Sequence, residues 1–198
     1  MEDLPQVQIP APGNPNRNKP VSQFVEFIET VLFSILLFLV INIVTSRIMI
    51  ESISMQPTLF ERDRVLVNRL AYKFGQPERG DIIIFMPPID EAGEPYIKRV
   101  IGLSGDNIHI LNGQVIVNGY PLQENYIQAP PAYVGSWKVA EGQLFVLGDN
   151  RNNSSDSHSW GTVPLDNVLG KAELIYWPIG HLGMLDPSSA AAAGSAAP

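Results

Sequence analysis

Between Phe24 and Thr45 the chain is apolar apart from Glu26, Glu29 and the small polar Thr30, Ser34 and Asn42. A helix rises about 1.5 Å per residue, so one over residues 24–46 crosses the roughly 30 Å hydrocarbon layer of a bilayer. Glu26 and Glu29 then lie at the interface, favourably close to the helix N-terminus. A buried core helix or a cleaved signal peptide can also produce such a run. A signal peptide, however, has basic residues before its apolar stretch and a small-x-small cleavage site after it, whereas here acidic residues precede and Val44-Thr45-Ser46-Arg47 follows. The expectation is a single retained transmembrane helix, which makes the lipid bilayer a partner. Arg17 and Lys19 before the helix, against Arg47 after it, give a faint positive-inside bias.

The anchor divides the rest of the chain. Residues 1–23 contain five prolines and no apolar periodicity, so they are expected to remain an unstructured tail. Residues 186–198, of which Ser188 to Pro198 are nearly all Ala, Ser and Gly, are expected to form a low-complexity tail. That leaves residues 47–185 as one globular unit, and 45% hydrophobic content supplies a core for it. A formal net charge of −7 excludes nucleic acid, whose phosphates call for clustered Lys and Arg. With no cysteine, and with His109, His158 and His181 scattered, neither a metal centre nor another cofactor is expected. Serine, lysine and carboxylate chemistry remain.

The local signals in this unit are for β structure. Arg64–Asn68 and Asp81–Phe85 are short β-branched runs, and Pro87-Pro88 ends the second. Asn112-Gly113 and Asn118-Gly119 are strong hairpin dipeptides flanking Gln114–Val117, with Ile108 and Ile110 alternating before them. Further strands are expected at Gln143–Leu147 and Ala172–Trp177, and no convincing amphipathic helix follows Thr45. The fold class is mostly β, an antiparallel domain behind one N-terminal helix.

Three stretches could carry chemistry. Glu51-Ser52-Ile53-Ser54-Met55-Gln56-Pro57-Thr58-Leu59 follows closely on the anchor and sets two serines before a proline. Such a pattern serves ordinary turns as well as active sites, and Ser54 becomes a nucleophile only if another part of the chain supplies a base. Tyr96-Ile97-Lys98-Arg99-Val100-Ile101-Gly102 is a strand in which Lys98 shares a face with Tyr96 and Val100, and Arg99 shares the other with Ile97 and Ile101. A buried ammonium has its pKa pushed down and can become a neutral base, which a guanidinium cannot; the alternative is a snorkelling lysine with its head in water. Gly148 to Gly161 is a polar loop that directly follows an apolar strand. It reads either as a surface loop or as a scaffold in which Arg151 pairs with Asp149 and Asp156.

Taken together, Ser52–Leu59, Arg79-Gly80-Asp81-Ile82, Tyr96–Asp106 and Gly148-Asp149-Asn150-Arg151 through Asp156-Ser157 resemble the signature blocks of type I signal peptidase, in the same order and behind an anchor. The resemblance covers roughly residues 24–178 and is nearest to single-anchor cyanobacterial and Gram-positive members. It implies Ser54 as nucleophile, Lys98 as general base, and the Ser54 N–H with the Ser52 hydroxyl as oxyanion hole. It further implies that Ser154 orients Lys98, that Asp149, Arg151 and Asp156 hold the site together, and that Ile48, Ile50, Met55, Leu59, Val65, Ile84 and Ile97 line substrate pockets. Its substrates would be signal-peptide-bearing preproteins, cut after small residues on the extracytoplasmic side of a plasma or thylakoid membrane. No oligomeric state is implied. Asn152 stands where enterobacterial members carry aspartate and His158 where they carry arginine, and the short segment 106–142 implies a reduced second subdomain. Two rival readings are a Ser-His enzyme using His158, of the endoplasmic-reticulum type, and a non-catalytic tethered β domain that binds exported chains.

Overall fold

The computed structural model describes residues 19–89 and 93–185, with side chains from Gln23 onward. The C-terminal low-complexity segment and most of the Pro-rich segment lie outside the described residues. Helix α1 (Lys19–Val44) is 26 residues long, and its apolar window Gln23–Val44 covers 22 residues. At 1.5 Å per residue that window extends about 33 Å, enough to cross a membrane. Phe24, Phe27, Leu32, Phe33 and Phe38 stand exposed along it. Its polar side chains turn back on the backbone: Thr30 donates to the Glu26 carbonyl at 2.8 Å, Ser34 to Thr30 at 2.7 Å and Asn42 to Phe38 at 2.7 Å. Donors placed in lipid need partners inside the segment, and these bonds supply them.

The helix begins ahead of the expected Phe24 and stops at Val44, before the expected residue 46, because Thr45 and Ser46 already belong to a ladder. Strand β1 (Thr45–Met49) pairs with β2 (Arg64–Asn68), from Thr45 opposite Asn68 to Met49 opposite Arg64. The Arg69 N–H closes the start of the hairpin on the Val44 carbonyl at 2.9 Å.

The chain continues through β3 (Ile82–Phe85), β4 (Tyr96–Gly102), β5 (Asn107–Leu111), β6 (Gln114–Val117), β7 (Tyr120–Pro121), β8 (Gly135–Lys138) and β9 (Gln143–Leu147). It then forms the one-turn helix α2 (Ser157–Trp160), β10 (Val163–Pro164), β11 (Val168–Trp177) and β12 (Gly183–Met184). Every strand pairing is antiparallel. One eight-stranded sheet runs β1-β2-β11-β3-β4-β9-β10, with β12 on β11; a four-stranded sheet runs β7-β6-β5-β8. The turns of the second sheet are those that the Asn-Gly dipeptides dictate. Asn112 and Gly113 have φ of 51° and 76°, and Asn118 and Gly119 have 51° and 88°, the positive values that a two-residue hairpin needs.

Strands β3 and β4 are covered on both faces, which explains their near-continuous apolar sequences. Ile82, Ile84 and Ile97 join Ile50, Met55, Leu59, Val65 and Val67 in one core, while Ile83, Phe85 and Val100 join Leu144 and Val146 in another. A third core packs Ile108, Ile110, Val115 and Val117 of the four-stranded sheet against Ile101, Phe145 and Leu147. Gly102 marks the seam of that third core. A Cβ there would lie 2.9 Å from Ile108 Cδ1 and 3.0 Å from both Phe145 Cβ and Val139 Cγ2. Gly102→Ala should therefore overpack the seam and cost about 1–3 kcal/mol. The measurement is the unfolding midpoint in detergent micelles, and an unchanged midpoint would show that the seam yields freely.

Candidate active site

Ser54 lies in the turn between β1 and β2. Gln56 N–H bonds the Ile53 carbonyl at 3.1 Å, Leu59 N–H bonds the Met55 carbonyl at 2.9 Å, and the Met55 and Leu59 side chains sink completely into the core. The apolar residues after the serine therefore fix its backbone and leave its hydroxyl at a cleft edge. Lys98 comes from β4, opposite Ile83 of β3. The alternation that places it with Tyr96 and Val100 also buries it, to 4% exposure. Its Nζ donates to Ser54 Oγ at 2.7 Å and to the Ile97 carbonyl at 3.0 Å, and stands 5.4 Å from the centre of the Tyr96 ring. Loss of hydration lowers the Lys98 pKa to about 8, against the pull of the Asp156 and Asp149 carboxylates, which favour its charged form. Ser52 Oγ is 3.2 Å from Ser54 Oγ. The Ser54 N–H has no partner among the described residues.

A cleft of about 670 Å³ opens over this pair. Ile48, Ile50, Ile53, Ile84 and Ile97 form apolar walls; Glu51, Glu94, Asn153 and Ser155 supply polar edges. The loop after β9 closes the site from the other side. Asn150 donates its N–H to the Ser54 carbonyl at 2.9 Å and its Nδ2 to the Ile53 carbonyl at 3.2 Å. A Cβ on Gly148 would come within 2.5 Å of the Ser54 carbonyl oxygen, so that contact demands glycine.

The family model described as "Signal peptidase, peptidase S26" matches residues 24–177. The chain belongs to the signal peptidase family. It is a serine endopeptidase of the signal peptidase I type. A signal peptidase I from Leptolyngbya laminosa is 45% identical over 195 residues, spanning 93% of this chain and 96% of the relative. The thylakoidal processing peptidase 1 of Arabidopsis thaliana chloroplasts is 39% identical over 139 residues, which are 65% of this chain and 41% of that protein. The crystal structure of a signal peptidase I from Enterococcus faecalis V583 is 31% identical, with a TM-score of 0.45, over 49% of this chain and 97% of the other.

Within this signal peptidase the charged scaffold is wired differently from the sequence expectation. Arg151 pairs with neither Asp149 nor Asp156. Asp149 is taken by Arg99, whose Nε and Nη2 donate to it at 2.9 and 2.7 Å, and by the Thr58 hydroxyl at 2.5 Å. Arg99 stands beside Leu147 across the β4–β9 ladder, so its guanidinium reaches the first residues of the loop before any loop arginine can. Arg151 instead forks onto Glu124, at 2.9 and 2.5 Å, a residue that no local pattern marked. Asp156, fully buried, accepts the Gly148 N–H at 2.9 Å and caps α2 through the His158 N–H at 3.2 Å.

Other expected roles also move. Ser154 Oγ is buried without a hydrogen-bond partner, so the expected bond to Lys98 is absent and Lys98 uses its own strand's carbonyl instead. Met55, Leu59 and Val65 are wholly enclosed in the core beneath the cleft and do not line its wall. Asn152 makes a neutral stitch, accepting from Ala132 N–H at 2.7 Å and donating to the Pro130 carbonyl at 2.9 Å. His158 Nδ1 lies 2.7 Å from Asp156, with its ring stacked 4.0 Å from Tyr133.

A lysine whose folded pKa lies below its unfolded value binds fewer protons folded than unfolded between about 8 and about 10.4. Its contribution to stability accordingly rises with pH across that window. In lysine-labelled protein, the Lys98 resonance should titrate with a midpoint near 8. A midpoint near the ordinary value of about 10.4 would mean that water reaches the ammonium.

Proposed function

We propose that this chain removes N-terminal signal peptides from exported preproteins with Ser54 as nucleophile and Lys98 as general base. The observation that carries the reading is the 2.7 Å bond between Lys98 Nζ and Ser54 Oγ on a lysine whose pKa is drawn down to about 8. Once neutral, Lys98 accepts the Ser54 proton as Oγ attacks the scissile carbonyl. The unpartnered Ser54 N–H and the neighbouring Ser52 hydroxyl are the two donors available to the oxyanion. The Lys98 ammonium then returns its proton to the leaving amine, and the acyl-enzyme is released by a water that Lys98 deprotonates. Aliphatic walls at Ile48, Ile50, Ile84 and Ile97 favour small side chains beside the cut.

The anchor supports the same role. A signal peptide's cleavage region lies at the bilayer surface once its apolar core is in lipid, and here the nucleophile follows the membrane helix closely in sequence. The catalytic unit is then extracytoplasmic, on a plasma membrane or, in keeping with the likeness to a thylakoidal peptidase, a thylakoid membrane. A Ser-His reading has less support, since it is Lys98 that bonds the Ser54 hydroxyl, and His158 is not among the residues lining the cleft.

In a preprotein cleavage assay, Ser54→Ala and Lys98→Ala should be inactive. Lys98→Arg should be equally inactive, because it keeps the charge but cannot deprotonate. His158→Ala should retain activity and the same rising pH limb. An active Lys98→Arg beside a dead His158→Ala would replace this mechanism with the Ser-His one. Replacing Ala by Phe just before the cut should cost about 1–3 kcal/mol or more, slowing cleavage by about fivefold to more than a hundredfold. For topology, protease added outside sealed cells should digest residues 47–198 and spare residues 1–20. The opposite pattern would rule out the export role.

A further inference from the structure

Glu124 and Tyr126 stand in the connection between β7 and β8, outside every sequence block that carries the site. Glu124 accepts both prongs of the Arg151 fork, and the two side chains are 7% and 0% exposed. The third arm of the same guanidinium, Nε, donates to the Gly148 carbonyl at 3.0 Å. One side chain thus joins Glu124 to the start of the loop whose next turn, at Asn150, holds the Ser54 and Ile53 carbonyls. Tyr126 makes the arrangement rigid. Its hydroxyl donates to Glu124 Oε1 at 2.9 Å, and its ring lies 4.0 Å from the Arg99 guanidinium and 5.8 Å from that of Arg151.

We propose that Glu124 is a positioning residue for the cleavage reaction: through Arg151 it holds the Gly148–Arg151 loop where Asn150 fixes the backbone of Ser54. The inference rests on the reading of Ser54 as nucleophile. A buried guanidinium stripped of its carboxylate cannot neutralise itself and must find water or another anion. In leaving its place it gives up the Gly148 carbonyl, and the loop loses the brace that keeps Asn150 against Ser54. The nucleophile then drifts relative to Lys98, while the walls at Ile48, Ile84 and Ile97, on β1, β3 and β4, stay put. The consequence is a loss of rate with substrate affinity kept.

The test uses the full-length chain in lipid–detergent micelles with a preprotein substrate. Glu124→Gln should lower kcat by about tenfold to a hundredfold, the loss expected when a remote change misplaces a reacting group. KM should stay within about twofold of the parent. The pH limb should keep its midpoint, since Glu124 is not among the charges acting on Lys98. Amide exchange at Asn150 should quicken, while the Val100 and Val146 core stays protected. Glu141→Gln, the same charge change on an exposed turn, serves as control and should match the parent. A kcat within about twofold of the parent, or a raised KM with kcat kept, overturns the inference. Should Glu124→Gln fail to fold, Arg151→Lys decides: it keeps the cation near Glu124 but loses the fork and the Gly148 bond, so parental kcat there overturns the inference too. Ser54→Ala in the same assay separates the two ideas. If it stays active the nucleophile assignment is wrong; if it is dead while Glu124→Gln is normal, only the positioning role is lost.

Discussion

Everything in the catalytic unit is arranged around an ammonium taken out of water. Burying a lysine on a strand costs several kcal/mol in lost hydration, and the usual remedy is an adjacent carboxylate, which would also hold the proton in place. Two buried carboxylates, Asp149 and Asp156, do act on Lys98, yet its pKa still falls to about 8. Their other commitments explain this. Asp149 shares its charge with the Arg99 guanidinium in a two-pronged, fully enclosed pair, and Asp156 spends its oxygens on the Gly148 N–H, the α2 N-terminus and His158. With both anions engaged, desolvation outweighs attraction. Arg99 and Lys98 are sequence neighbours with opposite tasks on opposite faces of one strand: a cation that cannot titrate keeps a carboxylate occupied so that the next residue can.

That balance needs rigid geometry, and the sheet supplies it. Strands β3 and β4 are packed on both faces, so the backbone that carries Lys98 is held between two cores while its amine faces the cleft. Ser54 has no such strand to hold it and is fixed from three sides instead. Met55 and Leu59 pin the turn beneath it, Thr58 ties the turn to Asp149, and Asn150 bonds its carbonyl. Gly148 permits the last of these contacts by having no side chain. The precision of the site is therefore shared between an apolar foundation and a polar loop, and neither alone would align the hydroxyl with the amine.

How much of this was legible in the sequence follows from the range of each interaction. The Asn-Gly turns, the alternation of Ile108 and Ile110 and the span of β4 are local, and the structure has them where the sequence put them. Strand β11 was read only over its last six residues, because Gly170 breaks the β-forming pattern of Val168–Lys171 and the strand there is held by its pairing with β3. Strand β8 gave no signal at all; Gly135-Ser136-Trp137-Lys138 is an edge strand recruited by β5. Alternation and residue chemistry marked Lys98 and Ser54 only as candidates, and the resemblance supplied the roles expected of them. The charge pairing could not be read in this way. Two arginines and three carboxylates allow several matchings, and closeness in sequence favoured Arg151 with Asp149 and Asp156, whereas the β4–β9 ladder delivered Arg99 first and left Arg151 for Glu124.

His158 and Asn152 show how the same frame tolerates different charges. An arginine at position 158 would be a permanent cation beside Asp156; histidine is one only when protonated. The position of Asp156 rests on the Gly148 and His158 backbone N–H groups. Those bonds come from the loop and the helix cap themselves, so they persist whatever side chain follows. Asn152 follows the same logic, since its amide satisfies an N–H and a carbonyl of the 130–132 segment without bringing a charge that would need a partner. Backbone bonds thus carry the positioning that a salt bridge would otherwise supply, and the side-chain charges at these two positions are left free to differ.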